Sequence, residues 1–526
     1  MTDLMHKKNI LQKLIQVGST TLVSRFLGLT REILLMRFLG VGVVADAFNI
    51  AFRIPNSLRK VFAEGALTSA FTPTFVVLLH KEGKQKADEL MALAFLAFEG
   101  AVLTLCILVS CNPKTTIGLM APGFSPEQVA ATIPCLRILM PFIFFISSSS
   151  LLAGALQSVN HFFIPAFCPV LLNIIFIGAT LLCLAYGYSV EYLCYAILFA
   201  GLIWFMSHLV QYIMLGFSFR MPASSTWRSF RQVLVKFLPC FFGMSVMEIA
   251  LTIDLQFASY LPIGSVTLIK YASSLMGIPL GVFAVAFSTI LLPHFVRVHI
   301  ADPKRLNFYL LEAMKFVFWV TIPATIILGF LSQDIFVTLF ASSSKNFPQD
   351  MIATAGLLLM TFLSGLFFFS INKILFSLYY SFHDALYPTI IAAIATVVNV
   401  CFNYFLVGSL GIIGLAVGTC FMGLTQTILS LLCLKYKHKF VLSMREFFEF
   451  AVRYVAQLIA LFIPLYAVYR ACYAGVAHLC MASPTATFFF LKSFGFWLWV
   501  GPQILFAFAL LYFTRKVFNI QLYFLD

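Results

Sequence analysis

Apolar runs long enough to cross a bilayer, joined by short polar connections, fill this chain from about residue 10 to residue 515. About 20 apolar residues cross the hydrocarbon core as a helix. In lipid, a helix satisfies its backbone polar groups within itself. The expected fold class is therefore an all-α polytopic membrane protein. Composition agrees. Of 526 residues, 61% are hydrophobic and 10% charged, whereas a soluble chain carries about 25% charged residues. The mean hydropathy of +0.98 likewise excludes a disordered or fibrous chain. Allowing roughly 30 to 35 residues for a span and its loop gives about fourteen transmembrane helices and no sizeable soluble domain.

Hydropathy and turn residues predict spans at roughly 10–38, 47–80, 88–112, 128–156, 161–187 and 190–217, then 232–262, 267–298, 306–331 and 350–381, then 384–408, 411–435, 446–473 and 487–515. Ala121-Pro122-Gly123, Ala301-Asp302-Pro303-Lys304 and Ser342-Ser343-Ser344-Lys345-Asn346 supply breaks with turn chemistry. The opening stretch MTDLMHKKNILQKLIQ is amphipathic and lacks the compact apolar core and small-residue cleavage site of a signal peptide. The first span is thus expected in the mature protein.

The net charge of +14 follows membrane sidedness. Basic residues occupy alternate connections: Lys7, Lys8 and Lys13; Lys81, Lys84 and Lys86; Arg220, Arg228, Arg231 and Lys236; Arg297, Lys304 and Arg305; Lys435, Lys437, Lys439 and Arg445; Arg515 and Lys516. The intervening connections are nearly bare, with Lys114 and Lys345 the main exceptions. By the positive-inside rule both termini are cytoplasmic, and the number of spans is even. The basic excess therefore reports topology and implies no nucleic-acid partner. The twelve Cys, among them Cys106, Cys111, Cys135, Cys168, Cys401 and Cys420, stand singly in apolar surroundings. Their spacing indicates neither a disulfide framework nor a zinc site.

An internal repeat organises the chain. LLAGALQSVNHFFIPAFCPVLLNIIFIG in the first half matches ILFSLYYSFHDALYPTIIAAIATVVNVCF in the second. Each has a polar turn (Asn160-His161; His383-Asp384), then a Pro (Pro165; Pro388), then an intramembrane Asn (Asn173; Asn399). Pro73 in AFTPTF and Pro293 in LLPHF form a second matching pair. Both pairs are offset by roughly 220 residues, or six spans of about 35. An even number of spans preserves orientation, so the halves read as parallel repeats. The expected domains are a six-helix lobe at 1–220, a second at 221–440, and two additional helices at 441–526.

The first two spans are the anomaly. They hold Arg25, Arg31, Glu32, Arg37, Asp46, Arg53, Arg59, Lys60 and Glu64, six cations against three carboxylates. A charge at membrane depth costs at least ~2.5 kcal/mol, so such a group pairs internally or faces a wet cavity. Arg25 and Glu32 share a helical face, and Lys60 and Glu64 stand four apart, at pairing distance. The cationic surplus suits an anion, and guanidinium forks suit phosphate in particular. Arg37, Asp46 and Arg53 can instead be read as side chains snorkelling from span ends. Gly28, Gly40, Gly42 and Gly65 read as close-packing positions.

SRFLGLTRE, the ADAF at Ala45–Phe48, FRIPNSLRKVFAEGALTSAFTP, PAFCPVLLN and TILLP closely resemble the MurJ (MviN) lipid II flippase family. The resemblance runs from the first span to about the twelfth. It implies the fold of the multidrug/oligosaccharidyl-lipid/polysaccharide exporter superfamily, two six-helix lobes around a cationic cavity plus two helices. The implied substrate is lipid II, undecaprenyl-diphosphate carrying a disaccharide-pentapeptide. Membrane lipids and the cell-wall synthesis machinery are the further partners to expect, in the bacterial cytoplasmic membrane. On the family's pattern Arg25, Arg31 and Arg59 are cavity arginines, and Asp46, Arg53 and Glu64 are functional polar positions. One departure stands out. Many relatives carry Asp-Arg in the eighth span where this chain has Ser273-Ser274, in KYASSLMG. Lys270, one turn earlier on the same face, can supply the missing charge or snorkel outward.

Asp254 in the seventh span, with Glu248 six residues earlier, and Asn399, Asn403 and Thr419 later form a candidate sodium set, since hard cations take oxygen ligands. Interhelical hydrogen bonding is the alternative for the amides and hydroxyl, and the one favoured for Asn173. Lys373, Arg453 and Lys492 fit no pattern beyond interface or lipid contact. No other cofactor is expected, and no G-x-x-x-x-G-K-[ST] motif is present to couple ATP directly. Three other classes compete with a flippase. A drug/cation antiporter of the same superfamily would want an acidic or apolar cavity. A membrane enzyme would need paired carboxylates or a His base, for which His383-Asp384 alone is weak. A scaffold leaves the intramembrane charges unexplained.

Overall fold

The computed structural model describes residues 23–524 except 160, 225, 303–304, 341–348, 383, 385, 441–442 and 481–482. Every regular element among the described residues is helical. The chain forms two compact units, Met1–Thr267 and Leu268–Asp526. The lobe boundary expected at 220/221 follows the sequence repeat, whereas packing divides the chain inside the eighth span.

The first unit contains α1 (23–39), α2 (Val43–Leu58), a π-helical stretch Arg59–Leu67, α3 (Thr68–Lys81), α4 (Lys84–Cys111) and α5 (Pro113–Met120). It continues through α6 (Pro126–Leu139), α7 (Phe142–Ser158), α8 (Phe163–Tyr186), α9 (Val190–Met214) and α10 (Thr226–Ser259). α11 (Ser265–Pro279) crosses the boundary. The second unit continues with a π-helical stretch Leu280–Val285, α12 (Ala286–Ala301), α13 (Leu306–Phe330), α14 (Ser332–Phe340), α15 (Gln349–Ser364) and α16 (Leu366–Ser381). It closes with α17 (Leu386–Leu410), α18 (Ile412–Lys437), α19 (Met444–Cys480), α20 (Pro484–Lys492) and α21 (Gly495–Thr514).

Among the described residues, eleven helices are long and apolar enough to cross a membrane. Of the fourteen spans expected, the first begins before the described residues, and the second (43–81) and seventh (α10), both continuous helical stretches, are not among the eleven. The Ser342–Asn346 turn, Pro303, Lys304, His383 and the lysines at 7, 8 and 13 lie outside the described residues.

Local chemistry sets the breaks. Gly40 adopts φ 61°, a left-handed conformation that costs glycine little, and its N–H still reaches Met36 O at 3.0 Å. Ser125 opens α6 with a capping box, its hydroxyl accepting from Gln128 N–H while Gln128 Oε1 accepts from Ser125 N–H. In the preceding turn Gly123 lies so close to α10 that a Cβ would sit 2.5 Å from Ser259 O.

Phenylalanines fill the first unit where α10 meets α4 and the π-helical stretch: Phe62 and Phe98 stand 5.3 and 4.9 Å from Phe237, and Phe230 packs on Phe98. In the second unit α17 and α18 approach so closely at Gly414 that a Cβ would meet Leu406 O at 2.7 Å, as small residues permit between membrane helices. After α21 the chain turns back, and Ile520 and Leu522 bury against Trp319, Val320, Phe450 and Tyr454.

Candidate functional site

The second span is built to break regular geometry. Pro55 cannot donate a backbone hydrogen bond, and one turn later the helix widens into π geometry from Arg59 to Leu67. Arg53 and Lys60 are seven residues apart, and both reach Glu248 of α10. Arg53 Nη2 donates to Glu248 Oε2 at 2.9 Å and Lys60 Nζ to Oε1 at 3.3 Å. Lys60 thus has a partner on another span; the Glu64 side chain, and with it the Lys60–Glu64 pair expected from i,i+4 spacing, lies outside the described residues. Arg59 Nε and Nη2 both donate to Asn56 Oδ1, at 3.2 and 3.0 Å.

Arg31, on α1, is held from three directions. Its Nη1 donates to Asn173 Oδ1 at 3.0 Å, its Nη2 to Glu32 Oε1 at 2.7 Å, and its guanidinium lies 5.2 Å from the Phe176 ring centre. Asn173 in turn donates to Ser24 O at 3.1 Å, so it joins α8 to α1 as the interhelical reading supposed. The Nε atoms of Arg31 and Arg53 are buried without an acceptor. Each guanidinium therefore keeps an open donor. Arg25 is exposed and Arg37 half-buried on the same helix.

Asp46 is placed differently. It is 1% exposed and saturated with donors. Gly264 N–H and Gln128 Nε2 donate to Oδ2 at 2.7 and 3.0 Å, and Thr267 donates to Oδ1 from its N–H at 2.9 Å and its hydroxyl at 2.6 Å. This carboxylate ties α2 to α6 and to the start of α11. Its surroundings are those of a structural hub.

In the second unit Lys270 Nζ donates to Ser274 Oγ at 2.9 Å, so the ammonium reaches the position where relatives carry arginine. The candidate sodium ligands fall in both units. Asp254 belongs to the first, on α10. Asn399, Asn403 and Thr419 belong to the second, on α17 and α18, neither of which carries a carboxylate. Asn399 Oδ1 is buried without a partner, while the Thr419 hydroxyl donates to Leu415 O at 2.9 Å. Lys373 is half-buried, Arg453 donates to Asn519 O at 3.4 Å, and Lys492 is exposed.

Glu99 and Asn372 are among the buried polar groups that hydropathy alone did not single out. Glu99, 2% exposed within α4, accepts from Ser147 Oγ at 2.6 Å. Asn372 of α16 donates to Gly423 O at 2.9 Å and accepts from Thr427 Oγ1 at 3.0 Å. A single carboxylate or amide within a long apolar run was the available signal in each case. Asp384, weighed as half of a catalytic pair, staples a turn. Burial alone would raise its carboxyl. Lys437 Nζ at 2.7 Å, the Tyr387 N–H at 3.3 Å and His438 Nε2 at 3.3 Å outweigh that and hold it below the usual carboxylate range.

A family model described as lipid II flippase MurJ matches residues 35–491. The chain belongs to the lipid II flippase MurJ family. The lipid II flippase MurJ of Burkholderia cenocepacia is 31% identical over 430 residues, covering 78% of this chain and 82% of the relative. The probable lipid II flippase MurJ of Buchnera aphidicola is 29% identical over 476 residues, covering 88% and 90%. Among solved structures, a lipid II flippase MurJ in an inward closed conformation matches with TM-score 0.76 and 26% identity, covering 96% of this chain and 99% of that one. An inward-facing MATE-family multidrug transporter of the MOP superfamily matches with TM-score 0.66 at 15% identity, a likeness of fold alone. The cationic second span lies within the region that the MurJ family model covers.

Proposed function

We propose that this chain carries lipid II from the inner to the outer leaflet of the bacterial cytoplasmic membrane by alternating access. The observation that carries the reading is the pair of buried guanidinium donors, on Arg31 and Arg53, left without acceptors in a member of this family. A diphosphate presents the oxygens such forks take up. Arg59 and Lys60 stand on the same span, and Lys270 offers an ammonium in place of the arginine that many relatives carry. The polyprenyl tail can stay in lipid while the head group crosses. Transport needs no bond made or broken, so these groups bind and release and do not react.

The test is complementation. Expressed in a strain depleted of its own flippase, this chain should restore growth and outward exposure of lipid II. Growth arrest with lipid II trapped inside, at normal membrane levels, would refute the reading.

The alternation of basic connections supports cytoplasmic termini. Cysteines introduced near Lys84, Arg228 and Lys437 should be shielded from an impermeant reagent that labels a cysteine near Lys114. Labelling at Arg228 from outside would break both the orientation and the parallel repeat.

A further inference from the structure

Glu248 stands in an apolar stretch of α10, and each of its carboxylate oxygens is taken by a cation from the second span. Asp254 stands six residues on in the same helix. From Ser24 to Phe75 the first two spans carry six cations and three carboxylates. Counting Glu248 and Asp254 as well, the surplus of cations falls from three to one. Most of the charge that would draw an anion is therefore already answered from the seventh span.

A half-buried bridge of this kind adds little net stability, because desolvation consumes most of the Coulombic gain. It does keep two cations neutralised and positioned while no ligand is bound. Its shape is informative: one anionic centre offers one oxygen to a guanidinium and another to an ammonium, as a phosphate would. The match on Arg53 is incomplete, since Nη2 is engaged while the buried Nε has no acceptor. A phosphate lying along that edge can use both donors.

Resting on the flippase reading, we propose that Glu248 is an internal counter-anion, displaced from Arg53 and Lys60 by a phosphate of the substrate and returning to expel it. The exchange replaces one set of ion pairs with another, so net affinity stays modest. Transport requires this, because a carrier must release what it binds. Breaking the bridge also unties α10 from the second span, which links occupancy to movement within the first unit.

Purified full-length protein and undecaprenyl diphosphate in detergent micelles provide the test. Glu248→Gln keeps the side-chain shape and removes the competing charge. It should bind the lipid about tenfold more tightly and, in proteoliposomes, flip lipid II about tenfold more slowly. Equal or weaker binding than the parent would make Glu248 an ordinary structural bridge and overturn the inference. Failure of the parent itself to bind would instead sink the flippase reading beneath it. Glu248→Ala with added formate gives an independent check if the glutamine variant folds poorly. Formate should occupy the vacated place and compete with the diphosphate in this variant while leaving the parent unaffected. Absence of that competition would also overturn the proposal.

Discussion

Arg31→Ala and Arg59→Ala, separately and combined, should abolish complementation of a flippase-depleted strain at unchanged membrane levels. Each removes a guanidinium that can give charge-assisted hydrogen bonds worth about 1.5–3 kcal/mol apiece, and two such bonds correspond to roughly a hundredfold or more in affinity. Arg31→Ala also leaves Glu32 without the 2.7 Å partner seen here. A loss of fold must therefore be separated from a loss of binding, and Arg31→Lys serves that purpose. It keeps the charge beside Glu32 but gives up the fork, so the fold should survive while transport falls. Normal growth of the double alanine variant would show that the diphosphate is held elsewhere.

Asp46→Ala should fail in a different way. The carboxylate receives four hydrogen bonds in a site closed to solvent, and its removal strands the Gly264 and Thr267 N–H groups. Removing one side of such a buried network costs about 3–5 kcal/mol. The expected result is a large drop in melting temperature and in membrane level. Asp46→Asn keeps one acceptor oxygen and should fall between the two. Wild-type melting of Asp46→Ala together with lost flipping would place Asp46 on the substrate path and refute the hub assignment.

Lys60 and Asp46 show what could be read from the chain and what could not. The all-helical membrane class, most of the spans and the second-span cation cluster follow from hydropathy and the cost of charge in lipid, and both are local properties. Partner identity is not local. Lys60 pairs with a residue 188 positions away, and helical periodicity shows which side chains share a face without showing what faces them. Nor is the π-helical backbone from Arg59 to Leu67 legible in the pattern of apolar residues. Asp46, a functional polar position on the family's pattern, shows the same limit: the donors that close over it, from Gln128 to Thr267, are distant in sequence. Ser274 was the converse case, legible because Lys270 lies one turn away on the same helix.

The two π-helical stretches begin at Arg59 and Leu280, 221 positions apart, which is the offset of the internal repeat. A widened turn thus recurs at corresponding places in the second and eighth spans. The charge is not shared. At an offset of 220 from Arg59 and Lys60 stand Pro279 and Leu280. Both spans share the irregular backbone, but the widened turn at Leu280–Val285 carries no cation, so of the two it is the turn at Arg59 that couples this geometry to charge.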